Sequence, residues 1–219
     1  MMKEPSQKPS KEHSKEYSKE SYEVLIIGGG AGGVAAALAL AKLGHRVLLS
    51  EASDWLGGQL TSQGVPPDEH PWIEAIGATG SYRRFREGVR QYYRQHYPLK
   101  PSLKHKVQLN PGGGFVSRLC YEPKVAVAVL EAMLMPYIAA GRLIIKRQHK
   151  PVAVEMAGDR ILAVALESSE GEKLWLRADY VLDASELGEV LELSHTEHVI
   201  GAESQQDSGE LHAPAKANP

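Results

Sequence analysis

The chain has 219 residues, 42% of them hydrophobic and 24% charged, with a formal net charge of −2. This is enough apolar material for one large core, while the charge balance provides no global field to gather nucleic acid or an anionic membrane. A single cysteine, Cys120, excludes an internal disulfide framework. Every apolar stretch is broken by glycine, lysine or histidine well short of a membrane span, and the start is hydrophilic. The expectation is a soluble cytoplasmic protein.

Residues 1–21 carry the repeat "PSKEHSKEYSKES", with almost nothing apolar to offset the entropy of ordering, and are expected to be a disordered polar tail. From Tyr22 the pattern changes. "YEVLIIG" reads as a buried strand, "AGGVAAALALAKLG" as a helix stopped by Gly44, and "HRVLLSE" as a second strand ending in a carboxylate. Together they make one βαβ unit with parallel strands. Residues 63–77 contain three prolines and read as loop. "SYRRFREGVRQYYRQHY" is an amphipathic helix, with Tyr82, Phe85, Val89, Tyr92 and His96 on its apolar face. "EPKVAVAVLEAMLMPYIAAG" is an apolar helix that opens on Pro123 and ends at Gly141, and its internal Pro136 predicts a kink or an early stop. "RLIIK" is a strand. "PVAVEM", "RILAVALES" and "LWLRA" alternate as a meander of hairpins, and "YVLDASELG" returns to the sheet. Residues 196–219 show no element-forming pattern.

The turn after the first strand is the informative stretch. Gly28, Gly30 and Gly33 satisfy G-x-G-x-x-G between a strand and a helix, with Gly29, Ala31 and Gly32 filling the pattern. Gly28 permits a tight turn, Gly30 leaves room for a pyrophosphate against the backbone, and Gly33 lets the helix pack closely. The free N–H groups at the positive end of the helix dipole suit phosphate. Glu51, at the end of the next strand, is placed to accept hydrogen bonds from ribose hydroxyls and to repel a 2′-phosphate. A dinucleotide ligand follows.

Two stretches narrow the ligand by resemblance. "EASDWLGGQLTS" resembles the extension of flavoproteins with the glutathione-reductase-like dinucleotide fold, where a Gly-Gly doublet and then a hydroxyl residue follow the ribose-binding acid. The matching positions are Glu51, Gly57, Gly58 and Thr61, with Gln59 where the family often has arginine. "YVLDASELGEV" resembles the return segment D-A-T-x-x-G of the same proteins, placing Ala184 and Ser185 at the cofactor. The resemblance covers about residues 22–209 and is to the broad FAD-dependent oxidoreductase family, which includes relatives of glucose-inhibited division protein A. It implies FAD as cofactor, backbone near Val152 against the adenine, and hydride transfer from an unknown small-molecule substrate to the flavin. The implied fold is α/β: a Rossmann-like parallel sheet over residues 22–195, with a helical insertion at about 63–140 and an inserted antiparallel meander. Family members usually continue into a further segment that walls the flavin ring. The chain therefore reads as an amino-terminal portion, and a complementary chain is a candidate partner. The competing readings are a non-catalytic nucleotide-binding subunit and an RNA-associated flavoprotein fragment.

Other residues invite roles but have blander explanations. Arg83, Arg84, Arg86, Arg90 and Arg94 suggest an RNA-binding face, yet also describe the solvated side of an amphipathic helix. Nucleic acid is disfavoured on that ground. His195 and His198 lack a third ligand, so no metal is expected. His70 and Arg118 sit in stretches suited to bordering the flavin and orienting a substrate, although packing or capping roles explain them as well. Cys120 reads as buried. No catalytic acid or base is assigned.

Overall fold

The computed structural model describes Tyr17, Ser18 and residues 20–218. Strand β1 (Tyr22–Ile27), helix α1 (Ala31–Leu43) and strand β2 (Val47–Glu51) form the expected parallel βαβ unit. A loop with one 3-10 turn at Gly58–Leu60 leads to α2 (Gly80–His96), a short α3 (Pro101–Lys104) and α4 (Pro123–Ala139). The chain re-enters the sheet as β3 (Leu143–Arg147), leaves it for β4 (His149–Ala157), β5 (Arg160–Ser168) and β6 (Lys173–Leu176), and returns as β7 (Ala178–Asp183). Two short helices, α5 (Glu189–Ser194) and α6 (Gln205–Ser208), follow.

The parallel sheet has the order β3-β2-β1-β7, and one row across it is Leu143, Val47, Val24 and Tyr180. The antiparallel sheet has the order β4-β5-β6. The continuous apolar runs of β1 and β2 are explained by burial on both faces. Val24, Ile26, Val47 and Leu49 point to the helices, meeting Val34, Leu38, Phe85 and Val129. Leu25, Ile27 and Leu48 point the other way, onto Val164, Leu166 and Leu176 of the meander. Each such side chain contributes about 1.5–3 kcal/mol on full burial, so this three-layer stack fixes the strand ends that build the site.

Local signals end the helices where expected, with one exception. Gly44 closes α1 in the left-handed region at φ 102°. Pro123 opens α4, but Pro136 does not end it: the helix runs on to Ala139. The proline lies in the last turn, where its missing N–H removes one bond only, and the stop comes from Gly141 at φ 69°.

Helix α2 departs from its predicted face. Its buried residues are Phe85, Arg86, Val89, Arg90 and Tyr93, whereas His96 is exposed and Tyr92 half-buried. Two arginines lie inside because the preceding loop brings carboxylates to them. Arg86 pairs with Glu69 and Glu74, and Arg90 pairs with Glu74 while its Nε donates to the Leu109 carbonyl at 3.0 Å. Periodicity cannot foresee partners supplied from outside the helix. Arg94 pairs with Glu87 at 2.7 Å, and Arg83 and Arg84 bond to neighbouring carbonyl and hydroxyl oxygens. The five arginines therefore do not share one exposed face.

One residue, Gln148, joins β3 of the parallel sheet to β4 of the meander, and it takes φ 56°. A non-glycine residue there costs about 1 kcal/mol. Its side chain is held by Asp54 and by the Ser169 hydroxyl, and its N–H donates to the Ser53 carbonyl. The loop after β2 thus anchors the corner between the sheets. Most of the polar segment 1–21 lies outside the described residues. Within it, Ser18 donates to the Trp175 carbonyl at 2.8 Å, and the Tyr17 ring packs under the Arg177 guanidinium at 4.0 Å. At the other end, Ala202 and Asn218 exchange two 2.9 Å backbone bonds around α6. Among the described residues, no helix is long and apolar enough to cross a membrane.

Candidate functional site

The carboxyl ends of β1, β2 and β7 converge on one cavity, the place where open parallel sheets take ligands. It is lined by Gly28 and Gly30 from the turn, Glu51 from the end of β2, and Ala184 and Ser185 from the end of β7. Gly58 borders it from the far side. Six of the residues singled out from the sequence are thus brought together from stretches up to 157 positions apart.

The glycines of the turn differ in what demands them. Gly28 has φ 99°, and a β-carbon there would lie 2.4 Å from the Ala184 carbonyl oxygen. At Gly33 it would lie 1.9 Å from the Gly28 carbonyl oxygen. Packing alone excludes side chains at both. Gly30 has φ −61°, ordinary for any residue, and its β-carbon would approach only Glu186 Oε1, at 3.4 Å. Nothing in the protein forbids a side chain at 30. The bare backbone there keeps the cavity open, as a group lying close on the main chain requires.

Helix α1 starts at this point with Gly30 as N-cap, no side-chain cap and no acidic residue in its first turn. The N–H groups of residues 31–33 lie at the positive end of the dipole without a side-chain cap, next to Gly30 at the cavity edge, while Gly29, Ala31, Gly32 and Gly33 are not among the residues that line the cavity. Gly32 has no neighbour within 4 Å of an added β-carbon, and Gly29 is enclosed by Leu56 and Glu51. Across the turn, Gly57 N–H donates to the Gly29 carbonyl at 2.8 Å, so the Gly-Gly doublet is bonded directly to the glycine turn.

Glu51 accepts from the Gly29 N–H at 2.9 Å and the Ser53 N–H at 2.7 Å, one bond to each carboxylate oxygen. These fix the carboxylate at the mouth of β2 and leave it lone pairs for sugar hydroxyls. Asp183 does similar work at the end of β7. Its Oδ1 accepts from Ser185 N–H at 3.0 Å and from the Ser185 hydroxyl, and its Oδ2 accepts from Val190 N–H at 2.9 Å.

The remaining candidates lie elsewhere. Thr61 is buried, with its hydroxyl donating to the Leu56 carbonyl at 2.6 Å, and it is Ser62 and Gln63 that reach the cavity. Gln59 is exposed and outside the lining. Val152 sits at a register shift in β4, and its neighbours His149 and Pro151 line the cavity. Sequence reasoning missed Glu186 and Glu189, which add carboxylates to the lining. Glu186 lay inside the quoted return segment, but only the fold shows that it reaches back over Gly30.

His70 and Arg118 line a separate cleft that shares no residue with this cavity. His70 Nδ1 accepts from the Trp72 N–H at 3.2 Å. Cys120 is buried, with its thiol 3.7 Å from the Ser117 carbonyl. His195 is the left-handed C-cap of α5, and His198 Nδ1 pairs with the Thr196 carbonyl at 2.7 Å.

Comparison with known proteins agrees with this geometry. The chain is 39% identical over 72 residues to an L-amino acid oxidase of Cerastes cerastes, covering 33% of the chain and 13% of that enzyme. It is 47% identical over 45 residues to an N,N-dimethylglycine/sarcosine dehydrogenase of Chromohalobacter salexigens, covering 20% of the chain and 6% of that enzyme. Its fold is similar to that of the glycerol-3-phosphate dehydrogenase of Bacillus halodurans solved with FAD, with a TM-score of 0.53 and 15% identity over 83% of this chain and 38% of that one. The chain thus spans a minor part of the proteins it matches. The family model for FAD dependent oxidoreductase matches residues 23–217. A glycine turn held open at Gly30, a fixed carboxylate at Glu51 and this family match lead to one conclusion: the chain belongs to the FAD dependent oxidoreductase family, and its cofactor is FAD.

Proposed function

We propose that this chain is the nucleotide-holding portion of a flavoenzyme that oxidises a small molecule, with the rest of the flavin site supplied by further polypeptide or a complementary chain. The observation that carries the reading is Gly30, where packing would accept a side chain and yet the backbone is left bare against the cavity. In this reading the amides of residues 30–33 hold the diphosphate and Glu51 holds the adenosine ribose. Ala184 and Ser185 bound the cavity along the path toward the flavin. The chemistry supplied by bound FAD is acceptance of a hydride from a substrate carbon or nitrogen. The chain's own task is orientation and the electrostatic setting.

The edge strand β7 supports the need for more polypeptide. Tyr180 and Leu182 lie in register with Val24 and Ile26, whose side chains are covered by the helical layer. On β7 that same face is bare: Tyr180 is 71% exposed and Leu182 38%. An uncovered apolar edge of a parallel sheet is the surface that a further element packs against.

The test is direct. The purified chain, titrated with FAD in a calorimeter and followed by flavin absorbance, should bind one equivalent, and replacing Gly30 with leucine should abolish binding. No heat and no retained colour would sink the reading.

A further inference from the structure

The cavity at the glycine turn lies across the ends of the parallel strands, and sheet order gives it a direction. With the order β3-β2-β1-β7, Gly28 and Gly30 follow β1, Glu51 ends β2, and Arg147 ends β3 in register with Glu51. A ligand with its diphosphate on the glycines and its sugar on Glu51 therefore carries its base toward the β3–β4 corner. His149 is the first residue after that corner, and it lines the cavity. The Gln148 N–H donates to the Ser53 carbonyl at 3.3 Å, which holds the corner against the Glu51 side of the site.

His149 is half-buried, and its Nδ1 lies 2.6 Å from the Arg147 carbonyl oxygen. A carbonyl only accepts, so Nδ1 carries the proton and donates. In the neutral ring the other nitrogen, Nε2, is then a hydrogen-bond acceptor. It has no partner among the described residues, although the ring also borders a second cleft that holds Lys146 and Lys173.

We infer that His149 selects the base of the cofactor, its Nε2 accepting a hydrogen bond from the exocyclic amine of adenine. The inference rests on the proposed placing of diphosphate and ribose. It adds a side chain to the backbone near Val152 that the family resemblance puts at the adenine. A base with a carbonyl in place of the amine turns lone pairs toward Nε2 and loses the bond, and a site built around one hydrogen bond rejects the analogue that lacks it.

The experiment titrates the purified chain by calorimetry with FAD and with deaminated FAD, in which hypoxanthine replaces adenine and the rest of the molecule is unchanged. Mildly alkaline buffer keeps imidazole neutral. FAD should bind about tenfold more tightly than the deaminated form, the scale of one lost hydrogen bond. His149→Phe keeps a ring but removes both nitrogens, and it should bring the two affinities within about twofold of each other, mainly by weakening FAD. A merely structural role for His149 would weaken both dinucleotides alike and leave their ratio untouched. If His149→Phe does not fold, the ratio measured on the unmodified chain still decides the matter. Equal affinities in the unmodified chain, or an undiminished preference in His149→Phe, overturn the inference and leave the cofactor reading standing. Failure of both dinucleotides to bind sinks the cofactor reading itself, and the inference with it.

Discussion

A β-carbon on Gly30 would stand 3.4 Å from Glu186 Oε1, and one on Gly58 would stand 3.2 Å from the same oxygen. Glu186 therefore reaches across the mouth of the glycine turn, with Gln63 Nε2 donating to it at 3.4 Å. A carboxylate at that point faces the positive end of α1, where the diphosphate of FAD belongs. Two like charges at about 4 Å repel by about 4 kcal/mol at an effective dielectric of 20, so Glu186 must swing aside or weaken binding. Glu186→Gln keeps the shape and removes the charge. It should tighten FAD binding by about tenfold, or ~1.4 kcal/mol, measured by calorimetry at low salt, and the gain should shrink as salt is added. Weaker binding by this variant would show that the carboxylate contacts the cofactor favourably.

Gly30 and Gly33 should respond oppositely to alanine. At Gly33 the new carbon meets the Gly28 carbonyl oxygen at 1.9 Å, so the turn must shift, and overpacking of this kind costs about 1–3 kcal/mol or more. At Gly30 the conformation is ordinary and the nearest atom is the far end of a flexible side chain. Gly30→Ala should leave the melting temperature unchanged or slightly raised, through a less flexible unfolded chain, while FAD affinity falls by about tenfold or more. Thermal unfolding in the absence of FAD and calorimetry in its presence separate the two effects.

These contrasts show what was legible in the sequence. The parallel unit, the meander and the return strand were readable because each follows a local rule: apolar runs for strands buried on both faces, alternation for hairpins, glycine for helix ends. The glycine turn and Glu51 stood out by their spacing, and the Ala184-Ser185 segment only by its resemblance to the return segment of a known family; the fold brings all three to one cavity. Arg86 and Arg90 were misplaced because their burial depends on Glu69 and Glu74, loop residues with no periodic signature. Glu186 was passed over because only strand order brings β7 beside β1 and carries residue 186 back over residue 30. His70 and Arg118 were each noticed, yet their sharing of one cleft is a property of the fold.

The acid sensitivity of the fold should centre on Glu74. Burial alone would raise its pKa, but hydrogen bonding and charge from Arg90 and Arg86 outweigh it and hold the carboxyl below its usual value. The unfolded chain then takes up a proton before the folded one does. The stabilisation from Glu74 is fully present above the unfolded carboxyl value of about 4.3 and is lost as the pH falls through the lower folded value. Glu74→Gln should destabilise the protein at neutral pH by about 3–5 kcal/mol, because Arg90 is left buried without its charge partner. It should also flatten the loss of stability below about pH 4.3. Denaturant midpoints measured between neutral pH and pH 3 give both quantities, and an acid limb as steep as that of the unmodified protein would remove Glu74 from this role.

Thr61 offers the sharpest separation of a residue's place in a family pattern from its physical work in this chain. The pattern puts its hydroxyl at the cofactor, yet that hydroxyl is buried and donates to the Leu56 carbonyl at 2.6 Å. Its methyl and hydroxyl both lie 2.8 Å from where a β-carbon on Gly57 would be, so the side chain braces the doublet that bonds to the glycine turn. Replacing the hydroxyl with a methyl in Thr61→Val leaves the Leu56 carbonyl without its donor and should cost about 1–3 kcal/mol of stability. Thr61→Ser keeps the donor and should lose less. If the residue acts only by holding the Leu56–Gly58 turn, FAD affinity measured well below each variant's melting temperature should change less than about threefold in both, under 0.7 kcal/mol. A tenfold loss of affinity in Thr61→Val with an unchanged melting temperature would instead place the hydroxyl on the cofactor.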